Sequence, residues 1–246
     1  MGTNYRGYQV QPNGVTVQQK LNEAARSLFG YDCDIVGCSR TDSGVHAREF
    51  CAAVTRKGTP SLETAIPVER IPLALSHYLP SDISVWRAEL VEDGFHPRYD
   101  VVSKEYVYKI WNGKVRDPFL EGRAWHCPKP ISDKAAKDMD RAARYLIGKH
   151  DFSAYMASDT KIKDTVREVF DIGVTKDGEL VELRISADGF LYNMVRIITG
   201  TLVDVAYGRI APEDIPKITE SCDRRLAGTT APPEGLYLNK VKYQGR

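Results

Sequence analysis

Arg40, Asp42 and Arg196 are the side chains of this sequence whose types and settings could do chemistry. Arg40-Thr41-Asp42-Ser43-Gly44 lies in a polar run, residues 37–47, between two short apolar stretches at 33–36 and 49–54 that read as strands. A cation, a carboxylate, a hydroxyl-rich cluster and a glycine are thus forced onto one loop carried by a sheet, where binding and catalytic groups are usually placed. Taken alone, a loop aspartate is an Asx-turn or cap residue. Two cations change that reading of Asp42. One is Arg40, two residues away; the other is Arg196, set in an otherwise apolar helical stretch, where a buried guanidinium must find a partner. A carboxylate beside such a cation stays ionised, as a nucleophile requires.

Other candidates divide between structure and function. Tyr106 and Tyr108 alternate onto one face of a strand, 101–111, where they serve as core aromatics unless one reaches a polar rim and stacks on a base. His46, His96, His126 and His150 lack metal-ligand spacing, so surface or turn roles are expected and no metal is. The glycines near the N-terminus match neither a dinucleotide nor a phosphate-loop fingerprint, so no cofactor is implied. Five cysteines, Cys33, Cys38, Cys51, Cys127 and Cys222, show no C-x-x-C pair and suit a reducing compartment.

The elements that must position these groups follow from periodicity. Residues 1–14 are glycine-rich and aromatic without helical period and read as loop. Thr16 and Gln19 open a helix that Gly30 stops. Residues 62–79 look helical but interrupted by Pro67 and Pro72; 81–90 alternate as a strand; 95–100 form a turn carrying Arg98. Ser132 caps a helix reaching about Ile147, with Ala136, Met139, Ala143, Leu146 and Ile147 inward. Asp177-Gly178 joins two antiparallel strands, 167–174 and 179–186. A long apolar helix is expected over 188–208, a last helix over 212–222 and a closing strand over 236–243. This is an α+β layout, without internal repeat or low-complexity tract.

Composition bounds the function. The 246 residues, 42% apolar and 27% charged, describe a globular chain large enough to bury a core without staples. No apolar run is long enough to span a bilayer and no signal-peptide pattern opens the chain, so a cytoplasmic, membrane-free protein is expected. The formal net charge of +1 is no argument for nucleic acid, so any RNA contact must rest on local groups: Arg40 with Arg48, Arg56 with Lys57, Lys161 with Lys163 and Arg167, or Arg224 with Arg225.

Six segments in order carry a resemblance that patterning could not supply: 2–9 (GTNYRGYQ), 39–47 (SRTDSGVHA), 95–98 (FHPR), 104–108 (KEYVY), 190–196 (FLYNMVR) and 231–238 (APPEGLYL). With them the chain resembles the tRNA pseudouridine synthase A family over essentially its whole length. The resemblance implies an enzyme isomerising uridine to pseudouridine in the tRNA anticodon arm, at tRNA positions 38–40, without cofactor, and acting as a homodimer. It implies Asp42 as nucleophile, Tyr106 stacked on the target uracil, Arg196 paired with the aspartate, Arg40 assisting base extrusion and Leu191 among the substrate-binding residues. Whether Asp42 attacks C1′, attacks C6 or removes a ribose proton stays open. The fold implied is two α/β lobes with antiparallel or mixed sheets meeting at a central basic cleft, divided as 1–103 and 104–246.

Four features depart from the family pattern. Met1 directly precedes Gly2 where members usually have an apolar strand, so the first sheet is expected to lack a strand. Tyr8 stands where tryptophan or phenylalanine is common, Cys38-Ser39 replace alanine-glycine, and Lys104-Glu105 replace a more basic pair. The shortened sheet leaves a catalytically impaired RNA-binding relative as the alternative. An unrelated aspartate-nucleophile hydrolase is disfavoured by the lack of a second clustered carboxylate.

Overall fold

The computed structural model describes residues 1–157 and 162–245, in two compact units: Met1–Val101 with Tyr243–Arg246, and Val102–Lys242. Lys161, one of the basic candidates, lies outside the described residues.

In the first unit, helix α1 (Val17–Phe29) begins at Thr16, whose side chain accepts the Gln19 N–H at 3.3 Å, and ends at Gly30, whose N–H closes on the Arg26 carbonyl. Only half of the expected capping box forms, because the Gln19 side chain donates to Glu23 instead. Strands β1 (Cys33–Gly37) and β3 (Ala52–Arg56) pair antiparallel, with Gly37 opposite Ala52. The connection between them includes the two-residue strand β2 (His46–Ala47). Pro72 does not interrupt a helix but starts one: α2 (Ile71–Ser76) carries it in the first turn, where a missing N–H costs nothing. Ala24 of α1 and Ile71 and Leu75 of α2 form a small core covered by Leu28, Phe29, Val85 and Ala88.

The alternation in residues 81–90 does not make a strand. Val85 and Ala88 lie on that core while Trp86 and Leu90 face outward, 66% and 86% exposed. The sequence alternates, but Val85 and Ala88, three residues apart, both face the core, and the segment has no ladder partner among the described residues; a strand exists only through its pairing.

The second unit is built on strands β4 (Val101–Trp111), β5 (Trp125–His126), β6 (Gly148–Asp151), β7 (Val166–Asp177), β8 (Leu180–Ala187) and β9 (Leu236–Tyr243). They run in the order β9–β4–β8–β7–β6, with β5 parallel beside β4. The β7–β8 hairpin closes on Gly178 and Glu179, since Asp177 faces Leu180. A bulge at Phe170 lets Val169 and Ile172, three residues apart, both point into the core.

Helix α3 (Asp133–Arg144) lies against β7 and against α4 (Met194–Ala206). Ser132 caps α3 as its sequence requires, but the helix stops three residues before Ile147, which is exposed. The reason is Gly148, whose φ of 105° turns the chain into β6. Helix α4 is apolar around its whole circumference and is buried accordingly. It starts six residues later than the expected 188. Helix α5 (Ile215–Ser221) follows a short 3-10 turn, Pro212–Asp214.

Candidate active site

Arg40 and Asp42 belong to the first unit; Tyr106, Leu191 and Arg196 belong to the second. The Asp42 loop is fixed by a segment that carries no secondary-structure signal. Residues 2–8 run along the loop. Tyr8 donates its N–H to the Thr41 carbonyl at 3.1 Å, Gly44 donates to Tyr5 O at 3.3 Å, and Ser43 Oγ donates to the same Tyr5 oxygen at 3.2 Å. The Gly2 N–H donates to His46 Nδ1 at 2.8 Å, which buries His46 and corrects its expected surface or turn role. Within the loop the Val45 N–H closes on the Asp42 carbonyl at 3.1 Å, and Cys38 N donates to Cys51 O at 2.9 Å, extending the β1–β3 ladder by one pair.

The approach between these two segments is too close for a side chain. Gly7, at φ 83°, comes so near that a Cβ would stand 2.6 Å from Thr41 O. Behind the loop, Tyr8 stacks obliquely on Phe50, centroids 4.4 Å apart. The Tyr8 hydroxyl is buried without a hydrogen-bond partner among the described residues, and burial holds its phenol well above the usual range.

The brace is itself anchored. Val17 and Gln18 donate their N–H groups to Gly7 O and Tyr8 O, and Gln18 Nε2 reaches Ile35 O at 2.7 Å. Tyr5 donates to Asp82 Oδ1 at 2.6 Å; burial first, and then this bond, raise its phenol. Asp42 ends half-buried and Arg40 exposed on the same loop. Residues 1–14 read from sequence as plain loop, which does not reveal this bracing; Gly2, Gly7 and the capped start of α1 are its sequence signals.

In the second unit Tyr106 lies on β4, 7% exposed, with Phe190 edge-to-face at 4.9 Å and 79°. Tyr108 is entirely core, donating its hydroxyl to Pro232 O at 2.6 Å. Leu191, 4% exposed, precedes the turn into α4, where Asn193 takes a left-handed conformation, φ 60°. The Asn193 side chain makes no cap hydrogen bond to the first turn. Its Oδ1 accepts Arg196 Nη1 at 2.7 Å, while Arg196 Nε donates to Ala231 O at 2.7 Å. Ala231 N returns a bond to Arg196 O at 3.1 Å. Left-handed backbone at a residue with a Cβ costs on the order of 1 kcal/mol.

Ala231 ends a strap, residues 224–231, laid tightly over α4. Gly228 N donates to Thr201 Oγ1 at 2.9 Å, and a methyl on Gly200 would collide with the Thr229 carbonyl. Arg224, a candidate for RNA contact, instead bonds Ala227 O, Gly228 O and Thr230 Oγ1 within the strap. Its neighbour Arg225 is paired with Asp223, and this partner holds the Asp223 carboxyl at about 2. Arg56 is likewise paired, with Glu63 at 2.7 Å.

His96, His126 and His150 serve the backbone. His96 Nδ1 accepts from Arg98 N and Tyr99 N in the 95–100 turn, which Tyr243 pins through Pro97 O at 2.7 Å; His126 meets Gly113 O and His150 meets Ile147 O. Among the described residues no group of three or more His, Cys, Asp or Glu is arranged to hold a metal ion, and no helix is long and apolar enough to cross a membrane.

Comparison with known proteins adds the chemical context. A family model described as tRNA pseudouridine synthase matches residues 142–244. The tRNA pseudouridine synthase A of Thermoanaerobacter sp. (strain X514) is 45% identical over 242 residues, covering 98% of this chain and 96% of its own. That of Acetivibrio thermocellus is 42% identical over 243 residues, covering 98% and 96%, and that of Bacillus subtilis (strain 168) is 42% identical over 244 residues, covering 98% and 95%.

Proposed function

Since the chain belongs to the tRNA pseudouridine synthase A family, we propose that it isomerises uridine in the anticodon arm of tRNA, at tRNA positions 38–40, with Asp42 as nucleophile. The enzyme class is a tRNA pseudouridine synthase, an isomerase. The observation that carries the Asp42 assignment is its setting: the one carboxylate of the 37–47 loop, half-buried, on a loop tied to residues 2–8 at Thr41, Ser43, Gly44 and His46. A nucleophile must be held in near-attack geometry, and a loop can do this only when its backbone is clamped.

In the reaction the N1–C1′ bond breaks, the uracil turns in place and a C5–C1′ bond forms; C5 then loses its proton and N1 ends protonated. No atoms are gained or lost overall. The base must first leave its stack at a cost of a few kcal/mol, which an aromatic platform worth about 1–3 kcal/mol offsets. Tyr106 is assigned that platform, and its edge contact with Phe190 gives it the fixed ring such a role needs. Arg40, exposed on the Asp42 loop, is assigned to base extrusion, Leu191 to the substrate-binding wall, and Arg196 to keeping the Asp42 carboxylate ionised. Two copies of the chain are proposed to form the working enzyme, which a gel-filtration mass at monomer size would contradict.

Asp42→Asn tests the central assignment. Tritium release from C5-labelled uridine in tRNA is expected to fall by at least about 1,000-fold while tRNA binding holds. Pseudouridine mapping that still finds modification in the anticodon arm of RNA treated with this variant overturns it.

A further inference from the structure

We propose that Asn193 is a positioning residue, acting through Arg196 by locking its guanidinium; the proposal rests on the reading of Arg196 given above. At the start of a helix an asparagine ordinarily adopts extended backbone and accepts an N–H from the first turn. Asn193 does neither. It sits at φ 60°, ψ 8°, with no cap bond, and spends its amide oxygen on Arg196 Nη1 at 2.7 Å. A left-handed non-glycine residue persists only where its surroundings over-determine it, and such positions concentrate at functional sites.

The surroundings do over-determine it. Met194 N bonds Leu191 O at 3.1 Å, Ile197 N bonds Asn193 O at 2.9 Å, and Ala157 N bonds Tyr192 O at 3.2 Å, so the elbow before α4 is tied on three sides. The left-handed turn aims the Asn193 amide at Arg196, three residues on. Together with Nε on Ala231 O, this fixes the guanidinium at two of its nitrogens, Nε and Nη1. Two anchors set the plane of a rigid, planar cation and hence the direction in which its other N–H groups point. Removing one of these two anchors loosens that plane. The sacrifice of a helix cap and of relaxed backbone follows from this requirement.

A double-mutant cycle with the full-length enzyme tests the idea. Asn193→Gly keeps the left-handed backbone and deletes only the acceptor, so melting temperature and tRNA binding are expected to hold while kcat falls about 10-fold, with KM unchanged. Arg196→Met alone is expected to lower kcat further, and in its background Asn193→Gly should have no additional effect. Asn193→Asp, which keeps an oxygen acceptor and tolerates the left-handed backbone, should stay within about threefold of the parent. Independent, multiplicative losses in the cycle, an unchanged kcat in Asn193→Gly, or equal losses in the Gly and Asp variants each overturn the proposal. An unchanged kcat in Arg196→Met overturns the role of Arg196 itself, and with it this inference. Should Asn193→Gly melt early, the Asp variant against Asn193→Ser supplies the same comparison.

Discussion

The two units immobilise their functional side chains by opposite means. In the first, Asp42 has a short side chain on an irregular loop, and that loop is held by backbone and side-chain hydrogen bonds between residues 2–8 and 41–46. In the second, Arg196 stands in the first turn of a buried helix, and what remains to be fixed is the end of a long side chain, which Asn193 and Ala231 hold. Short side chains inherit the accuracy of their backbone; long ones must be gripped at the tip. The first device ties irregular segments to one another and the second is seated on a buried helix, so damage to each should read out differently.

Gly200→Ala should have the largest effect. A methyl driven into the Thr229 carbonyl has only backbone to push against, on a helix buried on every side. Overpacking of this kind is expected to cost about 3 kcal/mol, seen as a fall in melting temperature of roughly 6–12 °C for a chain of this size. A variant that melts like the parent would show that the strap is loose.

Gly7→Ala should instead spare stability and damage turnover. The left-handed φ and the Thr41 oxygen 2.6 Å from the new Cβ force the brace off the Asp42 loop. A displacement near 1 Å at the nucleophile is worth about 100-fold in kcat, with melting expected within roughly 5 °C of the parent. If Gly7→Ala unfolds the protein as severely as Gly200→Ala, the contrast between the units fails.

Tyr8→Phe should be stabilising. Its hydroxyl is buried without a partner, and relieving such a group is worth about 1 kcal/mol, read as a rise of a few degrees in melting temperature with kcat unchanged. A lower melting temperature would mean that the hydroxyl is satisfied in solution.

The smallest effect is expected at the foot of the strap. Arg225 holds the Asp223 carboxyl down to about 2, so the pair contributes above the ordinary aspartate range and is lost as pH falls from about 4 toward 2. Both charges face water, and screening keeps the contribution small. Asp223→Asn should slightly flatten the acid side of the stability curve and leave the neutral side unchanged; a change in turnover at neutral pH would tie this pair to Arg196.

The sequence by itself determined what depends on near neighbours along the chain. Thr16 and Ser132 cap helices, Gly30 ends one, the Asp177-Gly178 signal announces a hairpin whose turn falls one residue later at Gly178-Glu179, and the ordered segments from 2–9 to 231–238 identify the family. Each is a local preference or a fixed order of residues, legible at short range. It also brought Asp42 and Arg196 forward, because a carboxylate beside a cation and a charge amid apolar neighbours are visible as anomalies.

Only the tertiary structure decided the rest. It made residues 2–8 a brace, though they carry no period, because their bonds go to residues some forty positions away. It denied residues 81–90 a ladder, delayed the start of α4 until after a left-handed Asn193, and turned Arg224 inward onto its own strap. The physical reason is common to all four. A backbone N–H, a carbonyl or a guanidinium can be satisfied by any partner the fold brings within hydrogen-bonding distance, and the identity of that partner is a property of packing that no window of sequence contains.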